Sequence, residues 1–132
     1  MDFPTDVSYT ESHEWVRATT KNSGQVVVGL TAYAQEQLKD VVFIELPKVG
    51  RKFRAKDPCA VVESVKAAFD IYAPVSGEVT SVNTELEDSP QLVNEDPYGR
   101  GWVFTIKMSN PNELKALLSA KEYKALCEKE ED

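Results

Sequence analysis

The sequence predicts a mainly β fold with flanking helices. Seven short β-branched or aromatic stretches recur along it, turn residues separate most of them, and helix-start signals stand near residue 31 and just after residue 110. Many short strands joined by tight turns point to a sandwich or small barrel.

Taken in order, the strand stretches are Glu14–Ala18, Gln25–Thr31, Val41–Leu46, Pro58–Glu63, Phe69–Ala73, Gly77–Val82 and Gly101–Met108. Turns are expected at Asn22-Ser23-Gly24, Pro47–Gly50, Pro74–Gly77 and Asp96-Pro97-Tyr98-Gly99. Between the second and third strands, Thr31–Leu38 is rich in helix formers and has Thr31 placed to cap it. After the last strand, Asn110-Pro111-Asn112-Glu113 combines a capping residue, a proline at the first helical position and an acid. Leu114, Leu117 and Leu118 would then form one apolar face. Ser119-Ala120-Lys121-Glu122 repeats the capping-box spacing and starts a second helix whose Tyr123, Leu126 and Cys127 face inward. The C-terminal helices are thus expected near residues 111–129.

With 132 residues, 42% of them apolar, and neither a linker nor a repeat, one domain spanning 1–132 is expected. The 22 acids outnumber 15 bases, for a formal charge of -7, which disfavours nucleic acid. No apolar run exceeds five residues, far below the roughly 20 of a membrane span, and the acidic N-terminus lacks a leader pattern. A cytoplasmic protein, or a processed chain of the mitochondrial matrix, is expected. One histidine and two widely separated cysteines, Cys59 and Cys127, cannot build a histidine metal site or a CxxC redox pair, so no metal is expected.

Charge is segregated locally. Lys48, Arg51, Lys52, Arg54 and Lys56 share one stretch without an acid, and residues 85–96 carry acids without a base. These read either as two solvated loops or as surfaces that steer partners of complementary charge. His13, between Ser12 and Glu14, reads as a hydrogen-bonded structural residue. Trp15, Trp102 and Cys59 read as core.

The chemistry gathers around Lys66. In Val61-Val62-Glu63-Ser64-Val65-Lys66-Ala67-Ala68-Phe69-Asp70-Ile71-Tyr72, two β-prone runs meet as a hairpin with the lysine near its tip. An exposed lysine is a poor nucleophile. An enzyme using Lys66 as a Schiff-base former would want it desolvated. An amine held out on a rigid turn suits modification by another enzyme instead.

The words around it are specific. Glu63-Ser64-Val65-Lys66-Ala67, followed by Asp70-Ile71-Tyr72-Ala73-Pro74-Val75-Ser76-Gly77, resembles the lipoyl-lysine hairpin and its second turn. With Tyr9–Val16, Gly29–Gln35, Val42–Pro47 and Leu92–Gly99 in the same order, the chain resembles the H-protein family of the glycine cleavage system nearly end to end. A biotin carrier would flank its lysine with methionines, where Val65 and Ala67 stand here. Two departures are local: Phe69 replaces a small hydroxyl residue, and Lys39 stands where the family commonly has glycine.

The resemblance implies a barrel-sandwich hybrid of the lipoyl/biotinyl type, built from two antiparallel sheets. It implies lipoate attached to Lys66, with Glu63, Ser64, Val65, Ala67, Asp70 and Gly77 recognised around it, and a monomeric, non-catalytic carrier in glycine catabolism and one-carbon metabolism. Glycine decarboxylase (P protein) would load methylamine onto the arm, aminomethyltransferase (T protein) would take the one-carbon unit, and dihydrolipoamide dehydrogenase (L protein) would reoxidise the dithiol. A lipoate ligase or a lipoyl/octanoyltransferase would install the group. The same sequence also suits a lipoyl donor that relays the group to other complexes. A cleft drawn from Ser12, Glu14, Thr31, Tyr33 and Asp70 would protect the loaded arm, with Tyr33 standing where some relatives carry histidine. The competing reading of Glu14 is a solvated strand residue.

Overall fold

The computed structural model describes residues 2–19 and 24–130. The strands in chain order are β1 (Ser8–Tyr9), β2 (Glu14–Ala18), β3 (Gln25–Leu30), β4 (Val41–Glu45), β5 (Lys52–Phe53), β6 (Pro58–Ser64), β7 (Ala68–Tyr72), β8 (Gly77–Val82) and β9 (Phe104–Met108). They form two antiparallel sheets, one in the order β1-β2-β3-β9-β8-β5 and one in the order β4-β6-β7. This is the expected sandwich. The helices are α1 (Ala32–Leu38), α2 (Glu85–Asp88), α3 (Leu92–Glu95) and α4 (Ala120–Glu130). Among the described residues, no helix is long and apolar enough to cross a membrane.

The core lies between the sheets. Val26, Val28, Val79, Phe104 and Ile106 of the larger sheet and Ile44, Ala60, Val62 and Ile71 of the smaller one are all buried there. Alternation along β2 sends Glu14 and Val16 toward this core and Trp15 to the other face, where it joins Tyr9, Tyr33, Tyr123 and Cys127 beneath α4. Tyr9 and Tyr123 stack in parallel planes with centroids 4.4 Å apart. The Trp15 ring lies so close over Gly29 that a Cβ there would come within 2.6 Å of it. Trp102 is only partly buried, against the same cluster.

Several boundaries move for identifiable reasons. Thr31 leaves the strand because its hydroxyl caps α1, accepting from the Ala34 N–H at 3.1 Å. β9 begins at Phe104 because Gly101 closes a turn onto the Asp96 carbonyl at 2.8 Å. The acidic run, read as a loop, folds into α2 and α3, each a single turn that bears a buried leucine. The expected turn residues Asn22 and Ser23 lie outside the described residues.

The C-terminus corrects one expectation. Asn110 caps as predicted, but the helix it starts is a 3-10 segment, Pro111–Ala116, and Leu117 is extended. Leu114, Leu117 and Leu118 therefore do not form one helical face: Leu118 exchanges backbone hydrogen bonds with Tyr9 at 2.7 and 2.9 Å, extending the sheet edge. The second capping box forms as read, with Ser119 and Glu122 bonding each other's backbone N–H.

Candidate functional site

β6 and β7 form the hairpin. Glu63 faces Ala68 as the last strand pair, and the Ser64 N–H donates to the Ala67 carbonyl at 2.8 Å, which leaves Val65 and Lys66 alone at the tip. Ser64 also brackets the turn with its hydroxyl, 3.2 Å from both the Ala67 N–H and the Ala67 carbonyl. The role of Ser64 is thus to lock the turn from inside, and the side chain is buried. A further tie runs outward: the Val65 N–H donates to the Asp40 carbonyl at 3.1 Å, fastening the tip to the α1–β4 turn. Val65 is 74% exposed, and Lys66 beside it is exposed with no hydrogen-bond or ion-pair partner among the described residues. Glu63 and Asp70 stand on the flanking strands, opposite Ala68 and Val61. Gly77 is not part of the hairpin. It starts β8 in the other sheet, between Phe53 and Met108, where a Cβ would meet the Lys107 carbonyl oxygen at 2.0 Å. Close backbone approach accounts for that glycine, since its φ is not positive.

A cleft of about 420 Å³ opens beside the hairpin root, lined by Ser12, His13, Tyr33, Gln37, Phe69, Asp70, Tyr72 and Glu130 with an apolar floor of Leu30, Ala34, Leu38 and Val62. Ser12, Tyr33 and Asp70 line this one cleft. Thr31 does not reach the cleft: it is fully buried, and its hydroxyl is engaged by the Ala34 N–H and by the Tyr123 hydroxyl at 2.7 Å. Glu14 does not line it either. It lines an adjoining cavity of about 490 Å³, with which the first shares Ser12 and Tyr72.

The solvated reading of Glu14 is also overturned, since the residue is 1% exposed. Its Oε1 accepts from the hydroxyls of Thr10 and Ser12, both at 2.6 Å, and its Oε2 accepts the Tyr72 N–H at 3.2 Å. The carboxylate therefore links β2 of one sheet to β7 of the other and orients Ser12 at the cleft mouth. Burial raises its pKa, and the hydrogen bonds from Ser12, Thr10 and Tyr72 act against that rise. His13, at φ 75°, is hydrogen-bonded as expected: Nδ1 lies 2.7 Å from the Tyr123 hydroxyl and Nε2 lies 3.1 Å from Glu130. Burial holds its pKa down, opposed by the charge of Glu130. Cys59 is buried, donates to the Ile71 carbonyl at 3.3 Å, and has a thiol pKa pushed up to about 12 by burial, which suits packing and not reactivity.

Comparison with known proteins agrees with this geometry. The family model described as Glycine cleavage H-protein matches residues 7–130. The chain belongs to the glycine cleavage H-protein family. It is 53% identical over 127 residues to the glycine cleavage system H protein of Aeromonas salmonicida, covering 96% of this chain and 97% of that one. It is 52% identical over 132 residues to that of Methylacidiphilum infernorum, covering 99% and 100%. A crystal structure of a glycine cleavage system H protein from Mycobacterium marinum superposes with a TM-score of 0.84 at 40% identity, over 92% of this chain and 96% of that one. H-protein membership supports a lipoyl-carrier role in glycine cleavage and bears out the barrel-sandwich fold.

The two departures from the H-protein pattern now have physical content. Lys39 caps α1 at φ 64° and ψ -142°, a conformation natural to glycine and strained for lysine. Phe69 is 52% exposed and adds an aromatic wall to the cleft. The sequence did not reveal the Asp40–Val65 tie, the place of Gln37 and Glu130 at the cleft, or the use of the Leu92–Gly99 motif, because each depends on segments distant in the chain.

Proposed function

We propose that Lys66 carries lipoate in amide linkage and that the chain, as one lipoyl-carrier domain, is the non-catalytic shuttle among the enzymes of glycine cleavage. The single observation that supports this most is the exposed amine, unpartnered among the described residues, on a two-residue turn that is closed internally by Ser64 and tied externally to Asp40. Lys66 would hold the lipoyl group, which would supply a reducible disulfide able to carry methylamine from glycine decarboxylase to aminomethyltransferase, the one-carbon unit leaving there with release of ammonia and dihydrolipoamide dehydrogenase reoxidising the dithiol. A lipoate ligase or lipoyl/octanoyltransferase installs it. The chain works as a monomer, and its bacterial relatives favour a cytoplasmic setting.

The residues divide the labour physically. The rigid turn presents the amine without an ordering cost at each encounter. Glu63, Val65, Ala67 and Asp70 form the surface a modifying enzyme meets around it. The cleft beside the hairpin offers a cationic amine the Asp70 and Glu130 carboxylates, the Ser12 and Tyr33 hydroxyls and an apolar floor. Glu14 and Thr31 act from behind, Glu14 by holding Ser12 and Thr31 by capping the helix that carries Tyr33.

Intact mass after incubation with lipoate ligase, ATP and lipoate tests the assignment. One lipoyl addition is expected, mapped to Lys66, and none on a folded Lys66→Arg variant, which keeps a cation without the acylatable amine. A lipoyl mass on another lysine refutes it.

A further inference from the structure

Asn94 belongs to the Leu92–Gly99 motif, and the carrier reading leaves it without a role. It stands on α3, across the α1–β4 turn from the hairpin, and its carboxamide is fully engaged. Oδ1 accepts the Val41 N–H at 2.9 Å, while Nδ2 donates to the Lys39 carbonyl at 2.6 Å and to Gln35 Oε1 at 3.1 Å. Two of these contacts bracket Asp40, on the residue before it and the residue after it. The carbonyl of Asp40 is the one that accepts the Val65 N–H, one residue from Lys66.

The bracket holds something that needs holding. At φ 64° and ψ -142°, Lys39 occupies backbone space that a side-chain-bearing residue keeps only where its surroundings over-determine it. Without Asn94, Lys39 would relax toward ordinary dihedrals and the reoriented chain would carry the Asp40 carbonyl away from Val65. The Ser64–Ala67 turn has its own hydrogen bonds and stays closed. The hairpin then survives, still paired with β4 through Val41 and Ser64, but loses the Asp40 tie at Val65.

We infer that Asn94 is a positioning residue for Lys66, acting through Lys39, Asp40 and Val65 to hold the acceptor amine in one place for the enzymes that dock on it. The consequence for modification rests on the reading of Lys66 as the lipoyl site; the mechanical linkage to Val65 does not.

Amide hydrogen exchange by NMR on the whole chain separates the two. In the near-isosteric Asn94→Asp variant, which loses both donors, and in Asn94→Ala, the Val65 amide should exchange at least tenfold faster while Ser64 and Val62 keep wild-type protection. Adding Lys39→Gly to Asn94→Asp should return Val65 to within threefold of wild type, because glycine holds those dihedrals without strain. With lipoate ligase, ATP and lipoate, the single variants should raise KM for the carrier about tenfold and leave kcat within twofold, again with recovery in the double variant. Unchanged Val65 exchange, loss of protection spread through Val62, or absence of rescue by glycine each overturns the linkage. If Val65 responds as stated while wild-type Lys66 accepts no lipoate, the positioning stands and the carrier reading fails.

Discussion

Replacing Gly77 by alanine separates shape from recognition in the motif around the lysine. In β8, Gly77 is paired with Met108 on one side and Phe53 on the other, and an added Cβ would sit 2.0 Å from the Lys107 carbonyl oxygen and 2.8 Å from its carbon. Relief to an ordinary contact needs more than about 1 Å of separation, since carbon and oxygen atoms pack at roughly 3.3–3.5 Å. The obstacle is backbone in a central position of the six-stranded sheet, so no side chain can simply swing aside. Overpacking of this kind costs about 1–3 kcal/mol. Loss of one or two ladder hydrogen bonds between β8 and β9 adds about 0.5–1.5 kcal/mol each. A total of about 1.5–6 kcal/mol follows, which for a domain of this size lowers Tm by roughly 5–22 °C. Thermal unfolding followed by circular dichroism reads this directly. Well below the transition, lipoylation of Lys66 in the same variant should stay within about twofold of wild type, because the clash lies in the other sheet. A Tm within 2 °C of wild type would refute the close-approach argument, and a normal Tm with lost lipoylation would show that the glycine is read by the modifying enzyme.

Two further outcomes concern Glu14 and the cleft beside the hairpin. Because burial raises the Glu14 pKa, the folded state binds more protons than the unfolded chain between about pH 4.5 and the raised folded value. The stability that Glu14 contributes is therefore complete below the unfolded pKa and lost as pH rises through the folded one; the Tm of Glu14→Gln minus that of wild type should climb from pH 4.5 to neutrality, and a flat difference contradicts it. Asp70→Asn removes the cleft carboxylate nearest the hairpin, so carrier loaded by glycine decarboxylase and kept from aminomethyltransferase should release ammonia several-fold faster while loading is unchanged; equal release rates would show that Asp70 offers no protection.

Much of this protein was legible along the chain because the signals are local. Alternating β-branched residues define strands whatever lies across from them, and Thr31, Asn110 and the Ser119/Glu122 box satisfy helix-end N–H groups within three residues of themselves. The turn at Lys66 was legible for the same reason, since it is closed by neighbours three positions apart. Tertiary structure decided what depends on meetings across the chain. Glu14 sits among strand residues, yet its burial comes from β7, 58 positions away, whose Tyr72 N–H completes its acceptor set and turns a solvent-type side chain into a link between sheets. The acidic run became α2 and α3 because Leu86, Leu92 and Val93 found the core. Leu118 left its helix because Tyr9 offered a sheet edge. Lys39 holds a glycine conformation because Asn94 binds the peptide groups around it. Local propensity writes the elements, whereas the energy of a buried charge or a strained dihedral is set by distant partners that only folding brings within hydrogen-bonding range.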